Sequence, residues 1–167
     1  MLTICARAQM VAVKSDLVKD ALMIPDAGVE LVVGGRHTLG LSVFAATKPW
    51  GHNAEILGLS PRFRYWLSGR PFSRLFLGCA TQIANYNIEW GKEKYNGNSI
   101  SAGLLMGYAF NLSKRFNIEL AWGTDIMYYS HKDHYLGDKF YEAGQGAESY
   151  GTIFTPRLEV SLLYIIR

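Results

Sequence analysis

Alternation with a period of two dominates the chain, and that period belongs to strands with two unlike faces. The last segment carries it most clearly. Phe154, Pro156, Leu158, Val160, Leu162, Tyr164 and Ile166 fall on one face; Thr155, Arg157, Glu159 and Ser161 fall on the other. Phe116, Ile118, Leu120 and Trp122 likewise oppose Asn117, Glu119, Ala121, Gly123 and Asp125. The same alternation runs through 101–110, 57–65, 38–44 and 27–33, and a first strand at about 10–18 sets Val11, Val13 and Leu17 against Lys14 and Asp16. In 75–90 the parity is ambiguous. Leu75, Leu77 and Ile83 suggest one face, while Tyr86, Ile88 and Trp90 suggest the other, and a bulge near 84–85 would reconcile them. These segments predict eight strands.

The connections fall near 18–26, 34–37, 48–54, 67–74, 90–98, 111–115 and 131–151. Gly34-Gly35 and Asn96-Gly97-Asn98 carry the chemistry of tight hairpins. The even-numbered turns are short and the odd-numbered ones include the longest, as in barrels with short periplasmic turns and longer outer loops. Eight strands of roughly 9–11 residues with such loops use up about 160 residues. The chain has 167.

Composition decides which face meets which solvent. The sequence is 49% hydrophobic but only 19% charged, below the roughly 25% of soluble domains. A soluble barrel shows water many Lys and Glu. Here the polar face is mostly Gly, Ser, Ala and Thr, with charges of both signs: Lys14, Asp16, Glu30, Arg62, Arg64, Glu119, Asp125, Arg157 and Glu159. Small residues and balanced charges suit a narrow lumen that side chains just fill, and buried charges persist only when paired. Arg62 or Arg64 is therefore expected within salt-bridge range of Glu30, Glu119 or Glu159. Aromatics near strand ends, including Tyr65, Trp66, Trp90, Tyr95, Tyr108, Phe110, Phe116, Tyr128, Tyr129 and Tyr164, read as rings at a membrane interface. The expected fold class is all-β, an eight-stranded antiparallel up-and-down transmembrane β-barrel. No apolar run reaches the roughly 18 residues of a membrane-spanning helix.

Ala6 and Ala8 form an A-x-A pattern before Gln9. Residues 1–8 therefore read as a residual signal-peptide segment and 9–167 as the barrel domain. Loss of Cys5 with that segment would leave Cys79 alone, without an intrachain disulfide.

The pattern resembles a family of short, uncharacterised outer-membrane barrel proteins from Bacteroidetes. The matching stretches are Val13-Lys14-Ser15-Asp16-Leu17, Asp20-Ala21-Leu22, Gly28-Val29-Glu30, Arg64-Tyr65-Trp66, Tyr86-Asn87-Ile88-Glu89-Trp90-Gly91 and Pro156-Arg157-Leu158-Glu159-Val160-Ser161-Leu162. The resemblance implies an outer-membrane location in a Gram-negative bacterium and a surface setting near fimbriae, with no established activity.

Candidate chemistry is sparse. His131-Lys132-Asp133-His134 is a weak metal signal, and Ser130 next to His131 points to the opposite strand face. No cofactor or metal is expected, and a net charge of +3 excludes a nucleic-acid footprint. The reading leans away from an enzyme towards a structural or surface-interaction role, adhesive or fimbria-associated. The expected interaction surface is 129–151 with Trp50 and 90–95, drawing on His131, His134, Tyr135, Phe140, Tyr141, Tyr150, Trp50 and Trp90. Expected partners are membrane lipid and lipopolysaccharide, the outer-membrane assembly machinery, and a surface protein or glycan. The alternatives are a lipid-A-modifying barrel enzyme and a secreted lipocalin-like carrier.

Overall fold

In the computed structural model, which describes residues 10–49, 54–90, 93–135 and 148–166, the chain is an antiparallel meander closed on itself. The strands are β1 (Val11–Asp16), β2 (Asp26–Val32), β3 (His37–Thr47), β4 (Ala54–Trp66), β5 (Arg74–Trp90), β6 (Glu93–Asn111), β7 (Phe116–Tyr135) and β8 (Glu148–Ile165), paired in chain order. A short helix, α1 (Leu17–Ala21), follows β1. β8 pairs back onto β1, Ala12 opposite Ile165 and Asp16 opposite Ser161, so both outer strands gain a partner.

The two faces divide as the alternation requires. Leu104, Leu120, Phe154 and Leu158 are exposed on the outer wall, while Ser42, Ser60, Ala80, Ala109 and Ala121 are buried inside. Outward side chains are almost wholly apolar over nine residues of β4 (57–65) and β5 (75–83), eleven of β6 (100–110) and thirteen of β7 (116–128). Beyond this belt the outward face turns polar, with Glu55, Asn85, Asn87, Asn96, Asn98 and Ser130.

The wall is uneven, unlike the equal strands expected. β1 and β2 have 6 and 7 residues, β6 and β7 19 and 20. β1 stops at Asp16 because its carboxylate accepts from the Val18 N–H at 3.1 Å and caps α1. Asp20 then ties the connection together, accepting from Ser15 Oγ at 2.6 Å and from the Asp26 N–H at 3.2 Å.

Other expectations need correction. β5 contains no bulge: Ala54 opposite Ile88, Leu59 opposite Ile83 and Arg62 opposite Ala80 lie on one unbroken register. Tyr86 therefore shares the inward parity of Phe76 and Ala80. Asn96-Gly97-Asn98 is not a turn but lies inside β6, opposite residues 85–87. Gly97 serves close approach there, since a Cβ would stand 2.6 Å from the Tyr86 hydroxyl. The long connection shrinks, because β7 continues to Tyr135 and β8 begins at Glu148.

Candidate functional site

The lumen is built in layers. Its floor lies at the end bearing turns 33–36, 67–73 and 112–115, where Trp66, Phe72, Phe76 and Leu163 are fully buried. Trp66 was expected at a membrane interface. It sits inside instead, because it has the parity of Arg62 and Arg64, and its indole N–H donates to Thr38 Oγ1 at 3.0 Å. Phe72 arrives from the β4–β5 turn, at φ +59°. Its carbonyl accepts from Asn117 Nδ2 at 2.7 Å and Asn111 Nδ2 at 3.0 Å, which holds the ring under the barrel. In the sequence Phe72 stands in a plain turn, between Pro71 and Ser73.

Arg64 lies on this aromatic floor, its guanidinium 4.8 Å from the Phe76 ring centroid and 5.3 Å from that of Trp66. It donates to two carboxylates, Glu119 at 2.7 Å and Glu30. Glu159 is the second centre, reached by Arg62 at 2.9 Å, Arg157 at 3.4 Å and Lys14 at 3.7 Å. Arg62 also donates to Ser42 Oγ at 3.1 Å, and Arg157 pairs with Asp125 at 2.6 Å. Glycines opposite the arginines leave room for their stems. A Cβ at Gly40 would stand 2.8 Å from Arg62 Cγ, and one at Gly78 3.0 Å from Arg64 Cγ.

These contacts join Lys14, Arg62, Arg64 and Arg157 to Glu30, Glu119, Asp125 and Glu159, four cations with four carboxylates. Such a balance is what makes charge tolerable in a narrow interior. Asp16 is buried beside the network but caps α1, and Lys19 pairs with Asp26 at 3.0 Å. Glu30 Oε1, Glu119 Oε1 and Asp125 Oδ1 have no protein hydrogen-bond partner. The cluster is a filled, cross-linked plug with some acceptor capacity left over. Among the described residues no group of His, Cys, Asp and Glu is arranged to hold a metal ion.

The expected interaction residues are only partly described. Tyr150 is in β8, exposed, and stacked on Tyr128 with ring centroids 6.4 Å apart. His131, His134 and Tyr135 belong to β7 and Trp90 to β5, as backbone. Trp50, Phe140 and Tyr141 lie outside the described residues, as do 1–9 with the proposed processing site.

Taken together these features define a small closed β-barrel with an apolar outer wall and a charge-paired, filled lumen. Over residues 1–166 the chain matches the family described as Protein of unknown function (DUF3575), and it belongs to that family. No curated protein and no solved structure matches it.

Proposed function

We propose that this chain is an outer-membrane β-barrel of a Gram-negative bacterium, with a structural and surface-interaction role. The observation that carries the reading is its inverted polarity. Arg62, Arg64, Glu30 and Glu119 are buried while Leu104, Leu120, Trp122 and Phe154 are exposed. A continuous apolar belt of that kind far exceeds the few hundred Å² that soluble monomers leave in water. Its height of 9–13 residues per strand fits the ≈ 9–11 tilted residues that cross a bilayer. A lipocalin-like carrier would have the opposite arrangement, with an apolar lumen and a charged exterior. Among the described residues no helix is long and apolar enough to cross a membrane, and the reading needs none.

The filled lumen argues against solute passage. The surface role is supported by the uneven wall. β7 runs seven residues past Tyr128, about 20 Å along the strand, and its neighbours β6 and β8, with β5 beyond β6, rise with it. The described outward residues there are Asn85, Asn87, Asn96, Asn98 and Ser130, with the exposed Tyr150 beside them. This half-collar is the surface offered to a protein or glycan partner, with lipopolysaccharide around its base. The β8 strand that closes the barrel is the segment the assembly machinery must pair with β1.

Migration on a detergent gel tests the class. A transmembrane barrel shifts between unboiled and boiled samples taken from native outer membranes. A protein recovered entirely from the soluble fraction, with no such shift, contradicts the proposal.

A further inference from the structure

The end of the barrel with the short turns carries one sign of charge. Turns 33–36, 67–73 and 112–115, with the first residue of β5, contain Arg36, Arg70, Arg74, Lys114 and Arg115 and no Asp or Glu. All five are exposed. At the opposite end, among the described residues, charges mix: Lys19 is paired with Asp26, and Asp20, Lys48 and Glu55 lie in or beside the connections there. The asymmetry does not arise from the lumen, where cations and carboxylates balance.

Two of these cations are held by the same device at separate places on the wall. Arg36 Nη1 donates to the Tyr65 hydroxyl at 3.3 Å, and Arg115 Nη1 donates to the Tyr164 hydroxyl at 3.3 Å. Both tyrosines have the outward parity of the apolar belt and stand at its lower border. Their neighbours there are aromatic: Phe116 packs on Tyr164 with centroids 4.8 Å apart, and Tyr108 packs on Phe110 at 4.7 Å. Each guanidinium has five N–H donors in a fixed fork, and the tyrosine takes one. The remaining fork is therefore held beside the wall, at the border between apolar and polar surroundings. In a bilayer the headgroup phosphates lie at that depth, and a guanidinium binds phosphate through two parallel hydrogen bonds.

We propose that Arg36, Arg115 and Lys114, supported by Arg70 and Arg74, form a collar that binds anionic phospholipid headgroups in the leaflet at the turn end. This rests on the membrane reading above. The partner is a lipid headgroup rather than a soluble polyanion because the tyrosines hold two of the cations at the belt border.

The test uses the full-length protein refolded into bilayers of phosphatidylcholine alone and of phosphatidylcholine with phosphatidylglycerol. The inserted fraction is scored by the gel shift, and co-purifying lipid from the mixed bilayer is counted by native mass spectrometry. The wild-type protein should retain phosphatidylglycerol several-fold above its bulk share, and added salt should erode that enrichment. The combined variant Arg36→Gln, Lys114→Gln and Arg115→Gln should fall to the bulk share while inserting normally into phosphatidylcholine. Lys48→Gln, at the other end, should keep the enrichment. Inorganic phosphate should displace no more lipid than sodium chloride at the same ionic strength; displacement beyond that would mark a free-anion site and overturn the assignment. Normal insertion with lipid retained only at its bulk share overturns the collar and leaves the membrane reading standing. Enrichment that survives the combined variant does the same. Failure to insert into any bilayer overturns both.

Discussion

The two faces of one strand are the most informative comparison in this molecule. On β4, Leu57, Leu59, Phe63 and Tyr65 look outward and are exposed, while Ser60, Arg62, Arg64 and Trp66 look inward and are buried. Backbone and neighbours are shared, so only parity separates them. The inner wall is held by specific partners: Arg64 reaches Glu30 and Glu119, Arg62 reaches Glu159, and each of the two faces a glycine. Between its borders the outer wall is defined by class rather than by particular partners, almost wholly apolar over the belt. Sensitivity to substitution should therefore be particular inside and generic outside.

The largest expected effect is inside. Arg64→Leu would strand Glu30 and Glu119 as unpaired buried carboxylates, and breaking a buried pair typically costs about 3–5 kcal/mol. Denaturant unfolding in detergent should show that loss. Adding Glu30→Gln and Glu119→Gln should recover much of it, because the charge imbalance disappears. A loss unchanged by those two substitutions would mean that Arg64 acts through packing on Trp66 and Phe76 instead.

Outside, Leu120→Arg should cost about 2–4 kcal/mol if that position lies near the bilayer midplane. The same substitution should cost far less in a zwitterionic detergent, where the headgroup layer is close. Equal stability in bilayer and detergent would break the contrast between the walls. A smaller effect belongs to the floor. Thr38→Val keeps the volume but removes the acceptor of the Trp66 indole N–H, which should cost about 1–3 kcal/mol for a buried donor left unpaired. Trp66 fluorescence should report the change without loss of the barrel.

Much of this was legible in the sequence, and the failures share a cause. Segments 154–166 and 116–125 read correctly because each stays within the height of the apolar belt, so outward positions are apolar almost throughout. Segment 75–90 misread because it crosses levels. Above Ile83 the outward residues become Asn85 and Asn87 while inward Tyr86 follows Ala84, so polarity inverts without any change of register. A change of surroundings looks in sequence like a bulge. Trp66 misread for a related reason: its place near a strand end suggested an interface, whereas its parity with Arg62 and Arg64 put it inside. Inward parity marks the candidates for the charge network, but Asp16, one of them, caps α1 instead. The expected contact of Arg62 or Arg64 with Glu30, Glu119 or Glu159 is present, but which arginine meets which carboxylate could not be read, since Arg62 and Glu159 stand 97 residues apart and meet only across the closed barrel.

Cys79 offers the most direct test of the inverted polarity. It is exposed on the outer face of β5, opposite Phe63 on β4 and Leu104 on β6, within the apolar belt. With Cys5→Ser, a fluorophore attached there before refolding into bilayers reports the solvent of the outer wall. The account predicts strong quenching by brominated acyl chains and little by aqueous iodide. Efficient iodide quenching in the folded protein, with no effect of brominated lipid, would contradict it.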